Sequence, residues 1–288
     1  LTAGRVRDIL ISSFGYTDKQ LPTERTIRTK MNDLGYTVRK PAKCKPQDKI
    51  EETDDIFEMV HAINDEADND PEMVRISIDT KAVVKVGDFA RGGRSRQNEK
   101  ALDHDFNPDE KVTPFAAFLP KTKQSFIWHA TSKVTADFMA DRIDELIPVL
   151  KQNNPEFQTL VINADNGPES SGRRTQWLKR IVEISDKHQI GIQLAYYPPY
   201  HSKYNPVERL WGVLENHWNG ELLSSVHKVV GMTRTMTYAG IKPVVRLIRD
   251  VYYKGVKLNK KEMEPIEERL ERTEDLEDWF IWIEPKIG

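Results

Sequence analysis

Leu160-Val161-Ile162-Asn163-Ala164-Asp165 decides the fold. Three branched apolar residues in succession leave no polar face, as in a strand covered on both sides, and parallel sheets of α/β proteins bury their strands in that way. Asp165-Asn166-Gly167 then breaks the run with a turn signature. The carboxylate therefore stands at the C-terminal end of a buried strand, where open α/β sheets gather their ligands.

Working outward, Val134 to Gln152 has the helical spacing of Phe138, Ile143, Leu146, Ile147 and Leu150. Before it, Thr113 to Leu119 and Gln124 to Ala130 flank Pro120-Lys121-Thr122-Lys123 and predict an antiparallel hairpin. Val74, Ile76 and Ile78 alternate in a first strand ending near Asp79, and Ala82 to Val86 continues or pairs with it. Downstream, Arg173 to Lys187 is a helix with Trp177, Ile181 and Ile184 inward. Ile190 to Tyr197 is a strand stopped by Pro198-Pro199, and a helix starts near Pro206 with Val207, Leu210, Trp211, Leu214 and Trp218 on one side. An antiparallel start followed by right-handed crossovers gives an α/β fold, a mixed sheet flanked by helices.

The flanks read differently. Thr2 caps a helix with Val6, Ile9 and Leu10 on one face and Gly15 as its stop; Thr23 starts a second with Ile27, Met31 and Leu34 inward and Gly35 as its end. Arg25, Thr26, Arg28, Thr29 and Lys30 then face outward, as a helix that reads DNA requires, and Tyr36 to Lys40 alternates like a short strand or wing. Arg39, Lys40, Lys43 and Lys45 sit in a Pro- and Lys-rich linker suited to a phosphate backbone. Ile50 to Asp68 is an acidic amphipathic helix. Beyond Asn219, Val226 to Tyr238, Val244 to Tyr253 and Glu264 to Arg272 read as helices, and the apolar Trp279 to Ile283 should dock on its own domain in preference to a second subunit. The resulting division is a helix-turn-helix-like module at 1–46, a linker and acidic helix at 47–72, an α/β domain at 73–222 and a helical extension at 223–288.

The net charge of −2 conceals an alternation. Residues 1–49 carry eleven Lys/Arg against five Asp/Glu, 50–72 none against ten, 73–260 twenty-eight against twenty, and 261–288 four against ten. The basic blocks suit phosphate neutralisation, and the acidic ones can shield them. No window is apolar enough for a membrane span. A single cysteine, Cys44, excludes an intrachain disulfide and fits a reducing cytoplasm. The start lacks a signal-peptide layout and an initiator Met, which predicts a sequence beginning inside a longer reading frame.

Three carboxylates occupy convergent positions: Asp79 and Asp165 at strand ends and Glu208 in the first turn of the last core helix. Phosphoryl transfer by two Mg²⁺ or Mn²⁺ ions needs hard oxygen ligands of this kind, and the ions remove the cost of crowding three negative groups. Each residue also has a plainer reading. Asp79 could start a turn, Asp165-Asn166-Gly167 is a turn, and Asn205-Pro206-Val207-Glu208 is a helix N-cap with a capping-box acid. Lys81, Arg91, Arg94, His201, Lys203 and Arg209 are the neighbouring candidates for phosphate contacts. His104 and Asp105 have no further ligands at fixed spacing.

Ile78-Asp79-Thr80-Lys81, His104-Asp105-Phe106, Asn163-Ala164-Asp165-Asn166-Gly167 and Pro198-Pro199-Tyr200-His201-Ser202-Lys203-Tyr204-Asn205-Pro206-Val207-Glu208-Arg209 occur in an order that resembles DDE transposases with an RNase H-like core. In detail the chain is similar to the Rhodopirellula-type insertion-sequence transposases, distantly mariner-like, over nearly its whole length. The resemblance implies that Asp79, Asp165 and Glu208 bind two Mg²⁺ or Mn²⁺ ions. It implies further that the N-terminal module binds the inverted repeats, and that the reaction nicks element ends and joins their 3′-hydroxyls to target DNA. A homodimer on paired ends and a cytoplasmic, nucleoid-associated bacterial protein complete the expectation. A resolvase-like nuclease of the same fold and a non-catalytic DNA-binding descendant are the alternatives.

Overall fold

The computed structural model describes residues 2–37, 50–94, 100–102, 108 and 110–286. Arg39, Lys40, Lys43, Cys44, Lys45 and His104-Asp105-Phe106 lie outside the described residues. The chain forms two compact units, Leu1–Gln47 and Asp48–Gly288.

In the first unit, α1 (Ala3–Phe14) begins where the Thr2 hydroxyl accepts from Arg5 N and ends at Gly15, whose φ of +73° needs no Cβ. A short 3₁₀ turn leads to α2 (Glu24–Asp33), capped by Thr23. Among the described residues of this unit, Ala3 of α1 and Ile27 of α2 are buried. Leu34 departs from the expectation. It is 75% exposed because the helix ends at Asp33, one residue before it could turn inward. Ile9 is exposed as well. Tyr36 and Thr37 form no strand, and the rest of the expected wing lies outside the described residues.

The second unit runs α3 (Thr53–Asn69), β1 (Met73–Thr80), β2 (Val84–Val86), β3 (Glu110–Phe118), β4 (Ser125–Ala130), α4 (Ala136–Asn153), β5 (Thr159–Asp165), α5 (Thr175–His188), β6 (Gly191–Tyr197), α6 (Val207–Trp218), α7 (Val226–Thr235), β7 (Val244–Ile248), α8 (Lys260–Glu267), β8 (Glu271–Arg272) and β9 (Phe280–Ile283). The spatial order is β7-β4-β3-β1-β5-β6-β9-β8, with β2 on β3. β1, β3 and β4 are antiparallel neighbours, while β5 and β6 join β1 in parallel through α4 and α5. This is a mixed sheet flanked by helices, as the sequence predicts.

The strand pleat assigns the layers. Ile76, Ile78, Leu160, Ile162 and Ala164 pack with Phe138, Ile143, Trp177 and Ile181 of α4 and α5. The alternate residues of β1 and β5 face the other way, toward α6. There Val207, Leu210, Leu214 and Trp218 pack with Val112, Ala116 and Ile127 and with α7. The acidic helix α3 is part of the fold: Ile56 and Val60 pack on Ala195, Tyr197 and Phe280.

Two expectations for the C-terminal part are corrected. Residues 244–248 form a strand, parallel to β4, rather than a helix. Their consecutive β-branched valines and Leu247-Ile248 suit an edge strand, and sheet pairing overrides the helical spacing. The predicted helix from Glu264 starts earlier, at Lys260, with Asn259 and Glu262 as a capping box, and it ends at Glu267. The apolar end docks on its own unit, as expected, through β9 against β6. Trp282 lies across Gly191, where any Cβ would collide with the indole.

Candidate active site

Asp79 is the penultimate residue of β1 and Asp165 the last of β5. The strands are parallel neighbours paired Ser77 to Asn163. Continuing that register by two residues sets Asp79 beside Asp165, on strands about 4.8 Å apart and on the same face of the pleat. Glu208, the second residue of α6, comes from the helix that covers this face.

Three side chains tie α6 down. Asn205 is fully buried, and its Nδ2 donates to Ile78 O at 3.1 Å and to Asp165 Oδ1 at 3.2 Å. Its Oδ1 accepts from Ser77 Oγ, which itself accepts from Val207 N at 3.1 Å. One turn beyond Glu208, the Trp211 indole Nε1 donates to Asp79 Oδ2 at 2.7 Å. Asn205 is therefore not the side-chain cap of α6 that the sequence suggested; no cap hydrogen bond is made there, and its amide is spent on the two aspartate strands. Glu208 is half-buried.

The electrostatics follow from this crowding. Burial pushes the Asp79 carboxyl up to about 6, opposed by the Trp211 donor and reinforced by the negative charges of Asp165 and Glu208. Asp165 is also raised, by burial and by Glu208, against the Asn205 donor. Carboxylates that resist ionising beside one another, on oxygen-only donors, are matched by a hard divalent cation. Among the described residues, no three His, Cys, Asp or Glu side chains stand close enough to hold an ion as they are. Asp79 and Asp165 are turned to their own donors.

A cavity of about 370 Å³ opens beside Asp79 and Asp165, bordered also by Thr80, Glu169 and Lys254. On the other side of Asp165 a smaller cleft of about 230 Å³ is bordered by Tyr200, which is 74% exposed and held at φ +63°.

The expected phosphate contacts separate into groups. The Lys81 Nζ lies 2.7 Å from Glu215 of α6, and Arg91 reaches both oxygens of the same carboxylate at 3.0 Å while stacking over Trp218. Burial would raise Glu215, but these two cations hold it below the usual range. Arg94, Lys203 and Arg209 are exposed, with the Lys203 ammonium over the Tyr204 ring. His201 is buried instead: its Nδ1 donates to Pro199 O at 2.7 Å, and the ring packs edge-on to Phe57 of α3 and stacks with Tyr204. It shapes the loop before α6 rather than meeting solvent. In the other unit, Arg25, Thr26, Arg28, Thr29 and Lys30 are all exposed on α2, as their spacing predicted.

Ser77, Asn205, Trp211, Glu215 and Lys254 are the site residues that sequence reasoning passed over or read as packing and capping. One signal was present. Glu208, Trp211 and Glu215 recur at three and four residues along α6, one face of a helix.

Among solved structures, the chain is similar to the Mos1 transposase paired-end complex with left transposon end, at 12% identity over 80% of this chain and 68% of that one, with a TM-score of 0.47. It is also similar to the Mos1 mariner paired end complex with Mn, at 12% identity over 80% and 69% of the two chains, with a TM-score of 0.48. No curated protein matches the sequence. The family described as Rhodopirellula transposase DDE domain matches residues 1–285, and the chain belongs to that family of DDE transposases.

Proposed function

We propose that this DNA transposase cleaves the ends of its element and joins them to target DNA, using Asp79, Asp165 and Glu208 as the ligands of two divalent metal ions. The observation that carries the reading is the convergence just described. Two aspartates end adjacent parallel strands, and the helix bearing Glu208 is fastened to both of them through Trp211 and Asn205.

Held by the oxygens of Asp79, Asp165 and Glu208, Mg²⁺ or Mn²⁺ would supply Lewis acidity for activating a water or 3′-hydroxyl and for stabilising the leaving oxygen. The chain's own residues do the rest. Asp79, raised to about 6 by burial, would serve as a ligand in its ionised form. Trp211 and Asn205 hold one oxygen each of Asp79 and Asp165, which leaves the other oxygen of each for a metal. Lys254 borders the cavity of Asp79 and Asp165, and the exposed Lys203 and Arg209 flank Glu208 along the chain, as cations suited to arriving phosphate. The exposed cationic face of α2 serves recognition of the inverted repeats. Two element ends must react together, so the working unit is a homodimer.

The test is incubation of the protein with Mg²⁺ and DNA carrying the element end. Joined products are expected, and Asp165→Asn should abolish them while DNA binding persists. Cleavage without joining would instead identify a resolvase-like nuclease, and binding without any break a non-catalytic descendant.

A further inference from the structure

We infer that a lysine-walled trough beside the carboxylates holds the backbone phosphates of the DNA flanking the reacting one. The inference rests on the DNA-transposase reading above. The trough has a volume of about 800 Å³ and is walled by Lys81, Lys85, Lys111, Lys133 and Lys254; none of the described residues bordering it is acidic. Thr80, Val134 and Lys254 border both this trough and the cavity of Asp79 and Asp165, so the two are continuous.

The lysines crowd one another. Lys85 and Lys111 are direct cross-strand partners in the β2–β3 ribbon. Like charges in that position destabilise a sheet pair. The ribbon is held instead by the neighbouring pair Val84 and Val112, both buried. Lys133 comes from the β4–α4 connection and Lys254 from the segment after β7, so the charges surround the trough from separate elements. A row of phosphates offsets such a distributed set where a single small anion would meet only part of it. Lys81 is already engaged by Glu215 and Lys85 has an interaction of its own, so the phosphate contacts fall to Lys111, Lys133 and Lys254.

The binding of the full chain to a short random-sequence duplex, followed by fluorescence anisotropy across a KCl series, tests this. K111Q/K133Q/K254Q should flatten the dependence of log affinity on log salt by about 2 to 3, at ~0.9 for each phosphate that is no longer neutralised. The control K121Q/K187Q/K261Q, at exposed positions away from the trough, should leave the slope unchanged. Acylation of lysines in the wild-type protein, read by mass spectrometry, should show Lys111, Lys133 and Lys254 protected by the duplex and not by a mononucleotide. An unchanged slope in the trough variant, an equal flattening in the control, or equal protection by the mononucleotide would overturn the inference. Neither readout needs chemistry. A flattened slope without joined products would retain the trough and reject transposition, and joined products with an unchanged slope would do the reverse.

Discussion

The indole of Trp211 donates to Asp79 at 2.7 Å, so the helix that carries Glu208 is anchored on the first aspartate of the proposed site. Trp211→Phe keeps an aromatic ring in the layer and removes the donor. Partners that orient a metal ligand are typically worth 10- to 100-fold in metal affinity. The variant should need about tenfold more Mn²⁺ for half-maximal cleavage and recover most of its rate at saturating metal. The missing donor also lets Asp79 hold its proton to higher pH, so the acid limb of the pH–rate profile should move upward. A profile and metal requirement identical to wild type would remove Trp211 from the site.

Asn205 joins β1, β5 and the start of α6 through three hydrogen bonds made in a buried position. Asn205→Ala strands partners on all three, and each orphaned buried group costs about 1 to 3 kcal/mol before relaxation. Urea unfolding should show a loss of roughly 2 to 4 kcal/mol. Ser77→Ala should cost less, about 1 to 2 kcal/mol. Asn205→Asp should restore neither stability nor cleavage, because it adds a fourth carboxylate against Asp165.

Glu215 binds Lys81 and Arg91. Glu215→Gln leaves the side chain's shape in place and releases two cations toward solvent. Duplex binding should tighten severalfold at low salt and its salt dependence should steepen, since about one counterion is released for each further phosphate neutralised. Weaker binding by this variant would show that Glu215 positions the cations for DNA.

His129 on β4 is fully buried, and its Nε2 lies 3.0 Å from the Thr233 hydroxyl. That hydroxyl donates to Val229 O, so the imidazole Nε2 donates to it. Burial lowers its pKa from 6.5 to about 4, with Arg234 adding to the effect. Between those values the unfolded chain binds a proton that the folded chain refuses. The stability is therefore complete above pH 6.5 and declines as the pH falls toward 4, by roughly 3 kcal/mol. His129→Leu should flatten that part of the unfolding free energy against pH; an unaltered curve would assign the decline to other groups.

The core of the fold was legible because its signals are local. The apolar run at Leu160 to Ile162, closed by the Asp165-Asn166-Gly167 turn, reads as a buried strand, and Pro198-Pro199 halts the next one. Asp79 and Asp165 were legible for the same reason, as the last polar residues of such runs. The fastenings were not. Asn205 carries a capping signature that the tertiary structure redirects across more than a hundred residues to Ser77 and Ile78, and Trp211 has the periodicity of a packing residue while one edge of its ring does something else. Residues 244–248 misled because their apolar spacing suits a helix and only the exposed edge of β4 makes them a strand. Leu34 misled for want of one more helical residue before it.

Glu208 has the least support from the sequence, which offers a cap as its alternative, so the three-carboxylate site is tested most directly there. Mn²⁺ binding followed by electron paramagnetic resonance can be compared for the wild type, Asp79→Asn, Asp165→Asn and Glu208→Gln. All three variants should bind Mn²⁺ at least tenfold more weakly while keeping their thermal stability. A Glu208→Gln protein that titrates like the wild type, beside aspartate variants that do not, would contradict a site built from all three.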